Sequence, residues 1–237
     1  MKPPRKVADN SVQEAPLDRK IADLVMREII EWRIRPGTWI REREIAERFG
    51  CSHAPVREAF RHLSHEGFVE VVPWRGARVL ELDKIAVMDV FTVWKALFAA
   101  VCSIAAARFD QINESELLSL FHAYAASVSK LAPIREQIKL AWRVGNFITA
   151  NSGSPLAADL LIHVARIALW QHRFFDRVSQ ADLIADTGPA EAVRLYRIVV
   201  DSIIARDAED AEIAARAYLS HSQAHMSRLL GQIELGL

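Results

Sequence analysis

The sequence predicts a mostly α-helical chain: three short helices and a β-hairpin first, then an antiparallel bundle of about six helices. Apolar residues recur at the helical period in three successive runs before Gly67. The period then changes to two short β-prone runs around a turn. Beyond Leu82 no strand pattern returns, and helix-entry signals separate long helical runs.

Residues 1–16 are polar, contain Pro3, Pro4 and Pro16, and are expected to form a disordered tail. From Leu17 the apolar positions Leu17, Ile21, Leu24, Val25, Ile29 and Trp32 trace one helix, which Arg35-Pro36-Gly37 stops. A second helix fits Arg41 to Phe49, with Ile45, Ala46 and Phe49 inward and Gly50 as its left-handed cap. Ser52 is placed as N-cap of a third helix reaching about His65, with Pro55 tolerated in its first turn. Residues 68–72 and 77–80 then form a hairpin across Pro73-Trp74-Arg75-Gly76. Three helices and a hairpin outline a winged helix-turn-helix.

The remaining helices are expected over Asp83–Arg108, Glu114–Lys130, Pro133–Ala150, Pro155–Arg177, Pro189–Arg206 and Ala208–Leu235. Asn113 with Glu116 fits a capping box, Ser154-Pro155 an N-cap and first turn, and Thr187-Gly188-Pro189 a further entry. Short connections without a repeat period point to one bundle. The expected division is a domain over residues 17–80 and a second over 83–237, meeting near Glu81–Asp83.

With 237 residues, 51% apolar and 25% charged, the chain has the composition of a globular protein rather than a disordered one. Thirty basic residues balance thirty acidic ones. The balance is uneven along the chain: residues 1–80 carry a net +3 and the rest a net −3. Cys51 and Cys102 lack metal-ligand spacing and fit a reduced compartment. The N-terminus has no apolar signal region, and the uncharged stretch Ala96 to Ala107 is too short to span a bilayer. A cytoplasmic protein with no membrane partner is expected.

In a helix-turn-helix the N-terminal residues of the second helix face base edges and phosphates. Here those residues are Ser52, His53, Ala54 and Arg57. Small side chains let the backbone approach, the helix N-terminus favours phosphate, and Arg57 can fork onto guanine or phosphate. Arg43 on the preceding helix, and Arg75 with Gly76 at the wing tip, extend the set. Seven arginines and four glutamates lie between Arg33 and Arg61, and the plain alternative is a solvated helix face.

The run Arg43-Glu44-Ile45-Ala46, Phe49-Gly50-Cys51-Ser52-His53-Ala54-Pro55-Val56-Arg57-Glu58-Ala59, Glu66-Gly67-Phe68-Val69 and Arg75-Gly76-Ala77-Arg78-Val79 resembles the N-terminal domain of GntR-family bacterial transcription regulators. The resemblance spans Leu17 to Leu80 and implies DNA contacts at Arg43, Ser52, His53, Ala54, Arg57 and Gly76. The position of His53 is usually arginine in that family. A neutral histidine offers one donor and one acceptor instead of a fork, which implies a different or weaker operator.

The helical C-terminal part is similar to the ligand-sensing domain of the family's FadR/VanR branch, called the FCD domain. Ser152-Gly153-Ser154-Pro155-Leu156 and Ser202-Ile203 with Asp207-Ala208-Glu209-Asp210-Ala211 carry this looser likeness. Many members of the branch hold a divalent metal with one Asp and three His. Transferred by spacing, those slots fall on Ala141, Gly145, Tyr196 and either Tyr218 or, one turn on, His221. The branch's arginine and glutamate on the first bundle helix fall near Trp94 and Phe98. The resemblance thus implies an effector cavity lined by Trp94, Phe98, Ala141, Gly145, Tyr196, Tyr218 and His221, with no metal and no cofactor. Such a lining suits a largely apolar or aromatic effector. The competing reading is that these side chains simply fill the core.

Two other arrangements deserve weighing. Asp159, His163, His172, His221 and His225 make a metal site only if the fold gathers them, and Arg143 and Arg166 are candidate carboxylate anchors. The leading expectation is a ligand-responsive regulator, a repressor, that binds a palindromic DNA operator as a homodimer and is no enzyme. The rivals are a His/Asp metal-dependent hydrolase built in the bundle and a constitutive DNA-binding protein. No phosphate loop, nucleophile elbow or His-Glu-x-x-His motif favours the hydrolase.

Overall fold

The computed structural model describes residues 15–82, 84–108, 114–172 and 188–232. They form nine helices and one three-stranded sheet, divided between two compact units that meet at Leu80 and Glu81. The expected disordered tail lies almost wholly outside the described residues, as do Asn113 of the capping box and Thr187 of the Thr187-Gly188-Pro189 entry.

In the first unit, α1 (Leu17–Ile30) turns Ile21, Ala22, Val25, Met26 and Ile29 inward and packs on the helix over His53–His65. Leu17 and Leu24, expected inward by period, are exposed at 44% and 39%. The buried stripe is narrower than the apolar run, and Ala22 and Met26 lie closer to its centre. Helix α2 (Glu42–Phe49) buries Ile45 and Ala46 and ends on Gly50, whose φ of 60° is the expected left-handed cap. Helix α3 (His53–His65) buries Val56, Ala59, Phe60 and Leu63. Ser52 has the extended backbone of an N-cap, but its hydroxyl makes no capping hydrogen bond.

The hairpin consists of β2 (Val69–Val72) and β3 (Gly76–Val79). A third strand, β1 (Trp39–Ile40), was not evident in the sequence because two residues cannot display a period. It pairs antiparallel with β3, Trp39 opposite Arg78, giving the order β1-β3-β2. Gly76 has φ 102°, and a Cβ there would collide with the Ile40 carbonyl oxygen. Glycine is therefore required for the sheet itself to close. At the wing tip, Arg75 N–H donates to the Val72 carbonyl at 3.1 Å, and Trp74 holds a φ of 65°.

The second unit is a bundle of α4 (Lys84–Arg108), α5 (Glu114–Ser129), α6 (Ile134–Ala150), α7 (Pro155–His172), α8 (Gly188–Ile204) and α9 (Ala208–Gln232). Helix α4 packs against α6, α7, α8 and α9, and α5 packs on α6 and α8. Ser154 caps α7 as expected, its hydroxyl accepting from Ala157 N–H at 3.4 Å. The expected end of α7 at Arg177 lies outside the described residues.

By length and composition, Ile85–Arg108 is apolar enough to cross a membrane, a wider window than the uncharged stretch suggested. Its Phe98, Ala99, Val101, Cys102, Ala105 and Ala106 are at most 3% exposed and belong to the bundle core. Small alanines on this helix let its neighbours approach closely. Each buried large side chain stabilises the fold by about 1.5–3 kcal/mol.

Candidate nucleic-acid interface and bundle cavity

In the first unit, α2, α3 and the wing enclose a groove lined by Arg41, Arg43, His53, Arg57, Arg61, Arg75 and Gly76, among others. Ser52, His53 and Ala54 are exposed beside it at the start of α3. The short α2–α3 turn places these residues: Gly50 reverses the chain, and Phe60 and Leu63 anchor the inner face of α3, leaving Arg57 and Arg61 outward.

Each arginine in this groove has a partner within the first unit, Arg41 in Glu44 at 4.0 Å. Glu42 Oε2 lies 3.4 Å from Arg57 Nη1 and 3.5 Å from His53 Nδ1. Arg43 Nε is 3.7 Å from Glu47, and Arg61 Nη1 is 2.6 Å from Glu58. The Arg75 guanidinium lies over the Trp39 ring at 5.1 Å. Exposed pairs of this kind contribute roughly 0–1 kcal/mol and are screened by salt. A phosphate or guanine edge can displace them at little cost.

Glu42 was not singled out from sequence, because its approach to Arg57 crosses the α2–α3 turn and has no local spacing. A different pair fixes the frame. Arg48 donates to both oxygens of Glu28, at 2.6 and 2.8 Å, tying α2 to α1. That bond holds the Glu28 carboxyl below its ordinary range against the opposing effect of partial burial.

In the second unit, Trp94, Phe98, Ala141, Gly145, Tyr196, Tyr218 and His221 all line one cavity of about 130 Å³. Phe91, Tyr124, Gln137, Trp142 and His225 join them, and among the described residues no Lys, Arg, Asp or Glu does. Of these additions the sequence had singled out only His225, as a possible metal ligand; the others come from helix faces for which it carried no separate signal.

Trp94 and Trp142 stack with centroids 5.0 Å apart, and Tyr196 and Tyr218 at 4.2 Å. Phe98 meets Tyr196 edge-on at 6.3 Å. Tyr196 donates a long hydrogen bond, 3.4 Å, to the Ala141 carbonyl. A Cβ on Gly145 would stand 3.4 Å from the Tyr196 hydroxyl, so the missing side chain is part of the space.

Burial pushes the phenols of Tyr196 and Tyr218 well above their ordinary value and that of Tyr124 to about 12, so all three are neutral near pH 7. Phe98, Tyr196 and Tyr218 also belong to the core cluster, so core filling and cavity lining are not exclusive for them.

Among the described residues no three His, Cys, Asp or Glu side chains stand close enough to share a metal ion. His221 and His225 line the cavity while Asp159 and His163 do not, and the side chain of His172 lies outside the described residues. The His221 ring nitrogen Nε2 is 2.9 Å from the Gly188 carbonyl. Arg143 and Arg166 are exposed and do not reach the cavity.

Residues 17–79 match the profile of bacterial regulatory proteins of the gntR family. The N-terminal domain belongs to the GntR family. The HTH-type transcriptional repressor RspR of Escherichia coli K12 is 25% identical over 209 residues, covering 88% of this chain and 86% of that protein. The regulator YdhC of Bacillus subtilis is 22% identical over 202 residues, 83% and 84% of the two chains.

Among solved structures, Escherichia coli McbR/YncC superimposes with a TM-score of 0.68 at 18% identity, over 92% of this chain and 99% of that one. A GntR regulator from Rhodococcus sp. RHA1 gives 0.64 at 19% identity, over the same shares of the two chains. The chain is a DNA-binding transcription regulator and not an enzyme, which sets aside the metal-hydrolase reading.

Proposed function

We propose that this regulator is a cytoplasmic repressor of the FadR/VanR branch. Residues 17–80 bind a palindromic operator, and residues 83–237 form a homodimerisation and FCD-type sensing domain for a small, largely apolar or aromatic effector. The observation that carries the reading is the separation of chemistry along the chain. Exposed cations gather around the α3 N-terminus and the wing, and an aromatic cavity that no described Lys, Arg, Asp or Glu lines lies in the bundle.

Helix α3 enters the major groove, where Arg57 exchanges Glu42 for guanine or phosphate and Ser52 and Ala54 allow close approach. Arg43 and Arg75 neutralise flanking phosphates, and the Gly76 backbone sits at the wing. His53 reads its position with one donor and one acceptor, so His53→Arg moves the preference there toward guanine.

One half-site is too short for genomic specificity, and a two-fold dimer doubles it. Ile85 and Val93 on α4, exposed at 74% and 49%, and Leu156 and Leu160 on α7, at 71% and 49%, support a second copy as their cover. The cavity is close in size to one of about 150 Å³ that accepts benzene, which favours a small aromatic effector of one ring or two fused rings. Helix α4 supplies Phe91, Trp94 and Phe98 to that cavity and is the first helix after the DNA-binding domain. An occupant that shifts α4 therefore acts on the linker directly, with a coupling of about 1–3 kcal/mol.

The test uses the duplex that the purified protein selects from a random library. Indole or phenol is expected to raise the melting temperature and to weaken operator binding about tenfold. Citrate with zinc is expected to do neither. A protein that binds its duplex and responds to no aromatic compound is a constitutive binder, and the sensing reading then fails.

A further inference from the structure

Trp74 is the most exposed large apolar side chain among the described residues, at 104% of its reference area. Its backbone is also in the left-handed region, φ 65°. Three other non-glycine residues among those described share such a φ: Trp32, Leu131 and Arg206. Each of those lies two residues past the end of a helix, where a left-handed residue closes the last turn. Trp74 instead sits in the tight wing turn, where Gly or Asn would fit without strain. The fold gives no reason for an indole there: it buries nothing and burdens the turn. Such an outlier points to a use outside the fold.

The surroundings identify that use. Trp74 rims the groove that also holds Arg41, Arg43, Arg57, Arg61 and Arg75, a cationic lining complementary to a polyanion. Arg75 is drawn back over Trp39 at 5.1 Å, which leaves the indole as the projecting group of the wing.

We infer that Trp74 is a DNA-contacting residue that enters the minor groove beside the half-site read by α3 and wedges against a base step. Apolar side chains inserted this way unstack a step and bend the duplex, and an indole can stack on any base. The inference rests on the α3 face being the DNA-binding face. It adds a contact that favours easily unstacked pyrimidine–purine steps at the flank of each half-site.

The test compares wild type, Trp74→Gly, Trp74→Asn and Arg57→Ala in the full-length protein on the duplex selected by the wild type. Both Trp74 variants should keep or raise the melting temperature, because each relieves the turn. Both should also bind about tenfold more weakly and bend the duplex less in a circular-permutation mobility assay. Trp74→Phe should retain most of the bend. If Arg57→Ala loses affinity while Trp74→Gly binds and bends like wild type, the wedge is overturned and the α3 face stands. If neither changes affinity, the assignment of the face fails and the wedge with it.

Discussion

Glu42 Oε2 sits between Arg57 Nη1 at 3.4 Å and His53 Nδ1 at 3.5 Å, so one carboxylate occupies the space that a phosphate oxygen would take. The glutamate side chain is 28% exposed and the arginine 55%, so water screens the pair and its net worth is small. Under the proposed function this arrangement orders Arg57 and His53 in the free protein and competes with DNA for them.

Glu42→Gln is therefore expected to strengthen binding to the selected duplex severalfold, and to change the melting temperature little, since an exposed pair is worth about 0–1 kcal/mol. Arg57→Ala should weaken binding by about 1–3 kcal/mol. Gel-shift titrations at one fixed salt concentration check both. A weaker Glu42→Gln complex would show that the glutamate positions Arg57 productively instead of competing.

Trp94→Ala is expected to remove the indole-induced rise in melting temperature while leaving binding of the selected duplex intact, because Trp94 is half-buried and stacks on Trp142 at the cavity wall. Tyr196 needs a gentler change. At 1% exposure it is core as well as lining, and Tyr196→Ala would cost about 3–5 kcal/mol. Tyr196→Phe keeps the stack on Tyr218 and deletes only the hydroxyl. Calorimetric titration with indole and with phenol tells whether that hydroxyl selects between them.

Elemental analysis of the purified protein should find no stoichiometric zinc, nickel or manganese, and a chelator should leave the melting temperature unchanged. Ala141 and Gly145 have no donor atom, and the buried phenols of Tyr196 and Tyr218 resist ionisation. His221 and His225 cannot complete a coordination sphere by themselves. One metal per chain, with destabilisation by chelator, would overturn the reading.

The Glu28–Arg48 bond predicts an acid-side loss of stability. Because the folded state holds the Glu28 carboxyl below its unfolded value, the contribution is present above that unfolded value. It disappears as pH falls through the folded one. Glu28→Gln should lower stability at neutral pH by up to about 1 kcal/mol, since Arg48 is half exposed. The gap from wild type should close below the ordinary glutamate range near pH 4. Urea unfolding across pH 3–7 checks it. A gap independent of pH would assign the effect to packing.

The helices of both units were legible in the sequence because each carries its own period and punctuation. Gly50 past α2 and Ser154 before α7 are local signals that need no partner, and the structure agrees with both. The inward positions of Ile21, Val25 and Ile29 on α1 and of Ile45 and Ala46 on α2 follow from spacing alone, and so does the outward position of Arg57. The resemblance also marked the seven cavity positions, since residues spaced along known helices keep their faces.

Tertiary structure alone decided what depends on residues distant in sequence. Strand β1 exists only through its pairing with β3, and Gly76 is needed because Ile40 approaches its backbone. Glu42 reaches Arg57 across a turn, Trp142 meets Trp94 from another helix, and Glu28 grips Arg48 across two elements. Periodicity fixes which way a side chain faces along its own element, but not which element arrives opposite. That second choice is made by packing, where shape and burial act between segments that carry no mutual signal in the chain.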